Sequence, residues 1–163
     1  MKILIIVKSK HKDNTLKIAE AMSEVAPVTV TTLEDVKHYN LNEYDIIGYG
    51  SGIYFGKHDR ELLKFIKNND GEKSYCFVFS TSGSKNFERN NRHIIKILKS
   101  KNKIVLGSFG CLGFDKYFIF AVCGGINKSH PDINDFEAAQ NFIMDILEKY
   151  KQTAQNQLKH STL

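Results

Sequence analysis

The first 25 residues constrain the fold more than any other stretch, because an apolar strand leads through a polar loop into a helix. Residues Ile3–Val7 are apolar and rich in β-branched side chains, which is typical of a strand buried in a parallel sheet. Apolar residues then recur at helical spacing from Leu16 to Val25. The polar segment Ser9–Thr15 lies between them. Because a helix start presents unpaired N–H groups and a partial positive charge, we predict that this segment binds a phosphate.

The residues of this polar segment leave two interpretations open. One is a capped surface turn, since Ser, Thr, Asp and Asn are the usual residues at helix N-caps. The other is a phosphate cradle, in which hydroxyl and amide groups donate hydrogen bonds and basic side chains supply positive charge. The donors would be Ser9, Asn14 and Thr15, with positive charge from Lys10, His11 and Lys12. The rest of the chain favours the cradle.

Apolar segments of strand character alternate with amphipathic segments along the chain. Four further strands are predicted at Val28–Thr32, Tyr44–Gly50, Ser74–Phe79 and Lys103–Phe109. Helices are predicted from about His58 to Asn68, Phe87 to Lys101 and Ile133 to Tyr150. This alternation predicts one α/β domain over residues 1–150 with a five-stranded parallel sheet, followed by a polar C-terminal tail, 151–163, that frays.

Three loops of small polar residues follow the first, third and fourth strands. They are Ser9–Thr15, Gly50–Gly56 and Ser80–Lys85. With right-handed crossovers and the strand order 2-1-3-4-5, these loops converge on one crevice at the carboxyl ends of the strands, which is where open α/β sheets bind ligands. Glycines in the two later loops let the backbone approach a flat ligand, and aromatic side chains can stack on it.

Composition narrows the class of protein. The 163 residues are 42% hydrophobic and 25% charged, which fits one soluble globular domain. The net charge is +5, but the lysines are spread along the chain, so we expect no nucleic-acid partner. No apolar run approaches the roughly 20 residues of a membrane span, so we expect no membrane association. Three cysteines without a CxxC pair indicate reduced thiols and a cytoplasmic protein.

The set of motifs resembles that of the flavodoxin family, whose members bind FMN. The opening run from Ile3 to Ala21 is similar to the family's first strand, phosphate loop and first helix. The second and third loops lie where that family has its flavin loops, and Gly124–Asp132 resembles a branch of bacterial flavodoxin-family proteins. The resemblance covers nearly all of residues 1–150 and implies a flavodoxin-like three-layer α/β/α sandwich.

The resemblance implies cofactor-binding roles in all three loops. The FMN phosphate would be held by Ser9, Lys10, His11, Lys12, Asn14 and Thr15. The isoalloxazine ring would be held by Ser51, Gly52, Ile53, Tyr54, Phe55, Gly56, Ser80, Thr81, Ser82 and Gly83. Tyr54 or Phe55 would stack on the ring. No residue is predicted to be catalytic or to bind a metal.

Three features depart from the family's pattern. Asp13 stands where the phosphate loop usually has a glycine, and a carboxylate beside a phosphate is unfavourable. The second loop often carries a tryptophan in the family, and this chain has none. Well-known flavodoxins are strongly acidic, whereas this chain is basic, so its redox partner proteins should differ from theirs.

Other families with a parallel sheet require residues that this chain lacks. A response-regulator receiver needs paired acidic residues after the first strand, where Lys8 and Ser9 stand. A dinucleotide-binding fold needs GxGxxG there, and a P-loop NTPase needs Gly-Lys-Ser/Thr. An α/β-hydrolase elbow needs GxSxG, but Tyr49 and Ile53 flank Ser51 in place of the glycines.

The sequence therefore leaves three functions open. The first is an FMN-binding electron carrier between protein partners, which the lack of an evident catalytic acid or hydride site favours. The second is an NAD(P)H-dependent FMN quinone or flavin reductase, which the long insertion Gly110–Pro131 favours. The third is a flavodoxin-like domain that has lost its flavin, an option that Asp13 raises. The protein is expected to be a monomer or a homodimer.

Overall fold

The computed structural model describes residues 1–10, 13–69, 75–113 and 129–161, with side chains described as far as Gln157. The strands are β1 (Ile3–Lys8), β2 (Val28–Thr32), β3 (Ile46–Tyr54), β4 (Lys57–His58), β5 (Tyr75–Ser82) and β6 (Ile104–Leu112). The helices are α1 (Asn14–Val25), α2 (Arg60–Asn68), α3 (Phe87–Ser100) and α4 (Ile133–Ser161). Two short 3₁₀ helices, Val36–His38 and Leu41–Glu43, connect β2 to β3.

The sheet has the predicted flavodoxin-like topology. Five parallel strands lie in the order β2-β1-β3-β5-β6, which is the predicted order 2-1-3-4-5 once the extra strand is set aside. The extra strand, β4, has two residues and pairs antiparallel with the end of β3. The predicted fold class is therefore confirmed, with a small hairpin added at its carboxyl edge.

The alternation of side chains along β1 divides the core between the two faces of the sheet. Ile3, Ile5 and Val7 pack on one face with apolar residues of α1 and α4. Leu4 and Ile6 pack on the other face with apolar residues of α2 and α3. Because successive side chains of a strand point to opposite faces, an apolar β1 requires helices on both sides and produces three layers.

The central strand β3 carries two glycines beneath two phenylalanine rings. Gly48 is paired with Phe77 and Gly50 with Phe79 in the β3–β5 register. A Cβ atom added to Gly48 would lie 2.4 Å from the Phe77 ring, and one added to Gly50 would lie 2.1 Å from the Phe79 ring. The two glycines thus leave the space that the two rings fill in the core.

Several elements are longer than predicted. The strand predicted to end at Gly50 continues to Tyr54, and the strand predicted to end at Phe79 continues to Ser82. The reason is that Ser51 and Gly52 still pair with β5 in the parallel ladder, Ile53 and Tyr54 pair antiparallel with β4, and β5 pairs with β6 as far as Ser82. The predicted helix end near Tyr150 was also wrong, since α4 continues to Ser161. The Tyr75 hydroxyl donates to Gln157 Oε1 at 2.6 Å and ties this extension to β5.

Within the residues that the structure describes, no helix is both long enough and apolar enough to cross a membrane. Most of the predicted insertion, 114–128, lies outside the described residues. Its first part, Gly110–Leu112, forms the end of β6.

Candidate functional site

The structure brings the three predicted loops to one edge of the sheet. β1, β3 and β5 are neighbours, and their ends are in register, with Lys8 beside Ser51 and Ser51 beside Ser80. Thr15, in the first turn of α1, is joined to Thr81 of β5 by a hydroxyl–hydroxyl hydrogen bond of 2.8 Å. The predicted convergence of the loops is therefore seen in the geometry.

Ser9 is the first residue of the first loop and carries an unusual hydroxyl group. Its Oγ is buried and has no hydrogen-bond partner among the described residues. A buried hydroxyl without a partner loses the hydrogen bonds it would make with water, so such groups are rare in folded proteins. Its position before the N-terminus of α1 suits a hydroxyl that donates to a bound anion.

Asp13 is the N-cap residue of α1 and adopts an unusual backbone conformation. Its φ of 54° and ψ of 28° lie in the left-handed region, which explains why a glycine suits this position. Its side chain makes no capping hydrogen bond, so it does not satisfy the N–H groups of the first turn. Among the described residues, the Asp13 side chain thus does not compete with an anion for these N–H groups.

The other residues of the first loop are held in different ways. Asn14 and Thr15 are buried in the first turn of α1. Lys10 forms an ion pair of 2.6 Å with Asp59 and lies 5.7 Å from the centre of the Tyr54 ring. His11 and Lys12, both predicted to face the phosphate, lie outside the described residues.

The second predicted loop is a β-hairpin. Ser51, Gly52, Ile53 and Tyr54 belong to β3, and a two-residue turn of Phe55 and Gly56 leads into β4. Both turn residues have positive φ, 52° and 74°, as in the type I′ turns that suit two-residue hairpins. Phe55 is 85% exposed in a conformation that favours glycine, so folding alone does not explain a phenylalanine there.

The third predicted loop begins inside β5, and its hydroxyl groups differ in their partners. Ser80 Oγ is buried and has no hydrogen-bond partner within the described part of the chain. Thr81 is bonded to Thr15, as described above. The Ser82 hydroxyl donates to the Ser84 carbonyl at 2.6 Å, and Gly83 is half-buried at the end of the strand.

A buried hydrogen-bond network, which we call the His58 network, fixes this hairpin to the domain. Ser51 Oγ lies 2.9 Å from His58 Nδ1 and accepts a hydrogen bond from the Asp59 amide at 3.0 Å. His58 Nε2 lies 2.9 Å from Asn91 Oδ1, and Asn91 Nδ2 donates to the Phe109 carbonyl at 2.9 Å. The network thus joins β3, β4, α3 and β6.

The network determines the protonation of His58. The Phe109 carbonyl can only accept, so the Asn91 amide nitrogen faces it and the amide oxygen faces His58. His58 Nε2 therefore carries the proton, and Nδ1 is an acceptor that faces the Ser51 hydroxyl, which also lies 2.9 Å from the Gly52 carbonyl. Burial lowers the pKa of His58 to about 4, although the hydrogen bond to Asn91 opposes this. His58 is thus a neutral, buried residue.

Neighbouring ionic groups at this edge are paired with one another. Lys8 forms ion pairs with Glu34 and Glu61, and the hydrogen bonds that its ammonium donates to these carboxylates raise the pKa of Lys8 above its usual range. Asp59 pairs with Lys10 through Oδ2 and accepts from the Glu61 amide through Oδ1, which caps α2. Each of these described charges thus has a partner of opposite sign.

No metal site was predicted, but the structure gathers three possible ligands near the start of α4. Ligand atoms of His130, Asp132 and Asp135 lie within 4.8 Å of one another. Asp132 Oδ1 accepts from the amide of Asp135, and Asp135 Oδ2 accepts from the amide of Asp132 and lies 2.6 Å from His130 Nδ1. This reciprocal pattern is a helix-capping box, so the cluster is explained by the start of the helix.

The two described cysteines are buried, which agrees with a packing role. Burial raises the pKa of Cys76 to about 12 and raises that of Cys111 further. A thiol that stays protonated is a poor nucleophile and a poor metal ligand.

Known proteins resemble this chain in sequence and in fold. The family model for the flavodoxin domain matches residues 4–113. An uncharacterized protein of Methanocaldococcus jannaschii is 38% identical over 148 residues, which are 90% of this chain and 99% of the relative.

Solved structures show the same fold at lower identity. The structure of a flavodoxin from the domain Archaea has a TM-score of 0.66 at 21% identity and covers 93% of this chain and 99% of its own. The structure of a Lactobacillus acidophilus flavoprotein in complex with FMN has a TM-score of 0.55 at 17% identity and covers 67% of this chain and 92% of its own. From the matched residues and the close relative, we conclude that the chain belongs to the flavodoxin domain family.

Proposed function

We propose that this protein binds FMN at the carboxyl edge of the sheet and carries electrons between proteins. The observation that carries the proposal is the buried Ser9 hydroxyl, which has no partner among the described residues and belongs to the loop that leads into α1. A phosphate would accept from the Ser9 hydroxyl and from N–H groups of the first turn. The match to the flavodoxin family and the FMN-containing neighbour support the choice of ligand.

The hairpin would hold the ring of the cofactor. Phe55 and Tyr54 are the candidates to stack on it, and the high exposure of Phe55 leaves a ring face available. The His58 network fixes the hairpin to the domain, so the stacking residue would have a fixed position. When bound, FMN would supply the electron chemistry, while the protein sets its orientation and local charge.

The paired state of the titratable groups favours a carrier over a reductase. Lys10 and Asp59 pair with each other, and His58 is buried and neutral. The described residues of this edge therefore offer no evident proton donor for a bound substrate. A reductase would reveal itself by steady consumption of NADH or NADPH with a quinone by the purified protein alone.

Substitution of Ser9 by alanine tests the proposed site. Hydrogen bonds to a charged group contribute about 1.5–3 kcal/mol, so Ser9→Ala should weaken FMN binding by about tenfold or more. The measurement is a titration of FMN fluorescence with the purified protein. Ser23→Ala is the matched control, because Ser23 is half-buried on α1 and its hydroxyl donates to the Glu20 carbonyl of the same helix.

Two outcomes would contradict the proposal. Equal affinity of the Ser9→Ala and wild-type proteins would remove this residue from the phosphate site. A protein that is colourless and leaves FMN fluorescence unchanged would instead be a flavodoxin-like domain without its flavin.

A further inference from the structure

A cationic cleft lies between the hairpin and α3. Its volume is about 520 Å³, and Phe55 and Gly56 of the turn form one side. Its basic lining consists of Lys57, Arg89, Arg92, His93 and Lys96. Nine of its ten lining residues are exposed, with Asn90 as the exception, so the cleft is open to solvent.

The basic residues of α3 form one face of the helix. Arg89, Arg92, His93 and Lys96 follow the spacing i, i+3, i+4 and i+7. Like charges at this spacing repel one another and destabilise a helix slightly. Helix stability therefore does not explain this row, and a role in binding does.

Within the described part of the chain, no carboxylate forms an ion pair with these cations. Glu88 is the one acidic residue of α3, and it too forms no ion pair among the described residues. Lys8 and Lys10, at the nearby end of β1, are by contrast both paired with carboxylates. The positive potential of the cleft is therefore not cancelled by acidic neighbours.

We propose that this cleft is the docking surface for an acidic protein that exchanges single electrons with the bound FMN, an inference that rests on the proposed function. Small-molecule sites are mostly enclosed and apolar, whereas this cleft is open, cationic and spread over two turns of a helix. Such a surface suits the carboxylates of a protein partner, because charges at the rim of an interface steer the encounter and set its orientation.

The position of the cleft suits electron transfer. Phe55 and Gly56 belong both to the cleft and to the hairpin that would hold the flavin ring. A partner seated on α3 would thus contact the same hairpin. Each encounter would move one electron from the reduced centre of the partner to the FMN, with no covalent bond formed or broken.

Charge reversal on α3 tests this proposal. The variant is Arg89→Glu with Arg92→Glu, and the matched control is Lys149→Glu with Lys151→Glu on α4, which covers the opposite face of the sheet. All four side chains are exposed, and both double variants lower the net charge of +5 by the same amount. The probe is a reduced plant-type [2Fe–2S] ferredoxin, an acidic one-electron carrier.

The rate constant for reduction of the FMN-loaded protein is measured by stopped flow at low and high salt. We expect the wild-type rate to fall as salt rises. At low salt, the α3 variant should be slower by about tenfold or more, and the α4 control should change by less than about twofold. Lys57→Gln with Lys96→Gln serves as a second test if the first variant does not fold.

Three outcomes would overturn the docking proposal. These are equal loss of rate in both double variants, no loss in either, and loss of NADPH oxidation in the α3 variant while its reaction with ferredoxin is unchanged. The last outcome would make the cleft a nucleotide site.

A titration with FMN is done first, because it distinguishes failure of the proposed FMN binding from failure of the docking proposal. If FMN does not bind, docking of the ferredoxin to the same variants is measured by calorimetry without the cofactor. Weaker binding by the α3 variant than by the control would support docking, and equal binding would overturn it.

Discussion

Two polar groups at the carboxyl edge of the sheet differ in how far their hydrogen bonds are satisfied. In the His58 network, the ring nitrogens of His58 and the amide of Asn91 all have protein partners. In the first loop, the Ser9 hydroxyl is equally hidden from solvent but has no partner among the described residues. The difference separates polar groups that hold the fold from a hydroxyl that the described part of the fold leaves unpaired.

This contrast matters because one residue of each group was predicted in the same way. Ser9 and Ser51 were each assigned to the cofactor because their loops resemble the phosphate loop and the second flavin loop of the family. The structure places the Ser51 hydroxyl against His58, where it supports the hairpin from below. Ser51 would therefore act on the cofactor indirectly, by fixing the position of the hairpin.

The largest effect should come from disrupting the His58 network. His58→Ala removes a buried ring and takes one hydrogen-bond partner each from Ser51 and Asn91, so we expect the free energy of unfolding to fall by about 3–5 kcal/mol. Urea-induced unfolding measures the change. His93→Ala is the control, because His93 is exposed on α3, and it should change stability by less than about 0.5 kcal/mol. Equal stability of the two variants would contradict the role given to the network.

A smaller loss should follow from acid. Because His58 has a pKa of about 4 in the folded protein, the unfolded chain takes up a proton below its ordinary pKa of 6.5 while the folded chain does not. Stability should therefore fall as the pH decreases from 6.5 to 4, by about 3 kcal/mol at the lower end. Urea unfolding across this range measures it.

The control for the acid effect is His58→Gln, which cannot titrate. The stability advantage of the wild type over this variant should shrink as the pH falls, and the carboxylates that both proteins share cancel in the difference. A constant difference across the range would show that His58 does not titrate as a buried neutral residue.

The smallest effect should come from a change in the first loop, where Asp13 opposes the binding of a phosphate. Asp13→Gly removes a carboxylate from the first loop and suits the left-handed backbone, so FMN should bind more tightly by about 1 kcal/mol, or roughly fivefold. Fluorescence titration at low salt measures the gain. Asp13→Asn removes only the charge, so a comparison of the two variants separates the effect of the charge from that of the backbone conformation. Weaker binding by both variants would show that Asp13 does not oppose the phosphate.

The fold was predictable because it depends on local patterns. The apolar strand Ile3–Val7 predicted a sheet covered on both faces, and the structure confirms it. The alternation of strands and helices predicted a parallel sheet, and the predicted order placed the three loops together. These features depend on residue spacing along the chain, which a sequence shows directly.

The His58 network was missed because its members are far apart in sequence. Ser51 and His58 are joined across a hairpin that had been interpreted as a flavin loop, and Asn91 comes from a helix 33 residues later. One signal was present: Asn91 falls among Phe87, Ile94 and Leu98, on the apolar side of its helix. A polar residue on such a side usually has a buried partner, but the sequence alone does not say which.

The glycine–phenylalanine pairs of β3 and β5 have a consequence for how this protein can be altered. Gly48 and Gly50 have no room for a methyl group unless the rings of Phe77 and Phe79 become smaller. A larger residue at either glycine therefore requires a smaller partner on β5, and the two strands should vary as a unit, both in natural divergence and in a mutant library. Libraries that randomise one of these strands would recover mostly the starting residues, whereas libraries that vary the cross-strand pairs together could reach new cores.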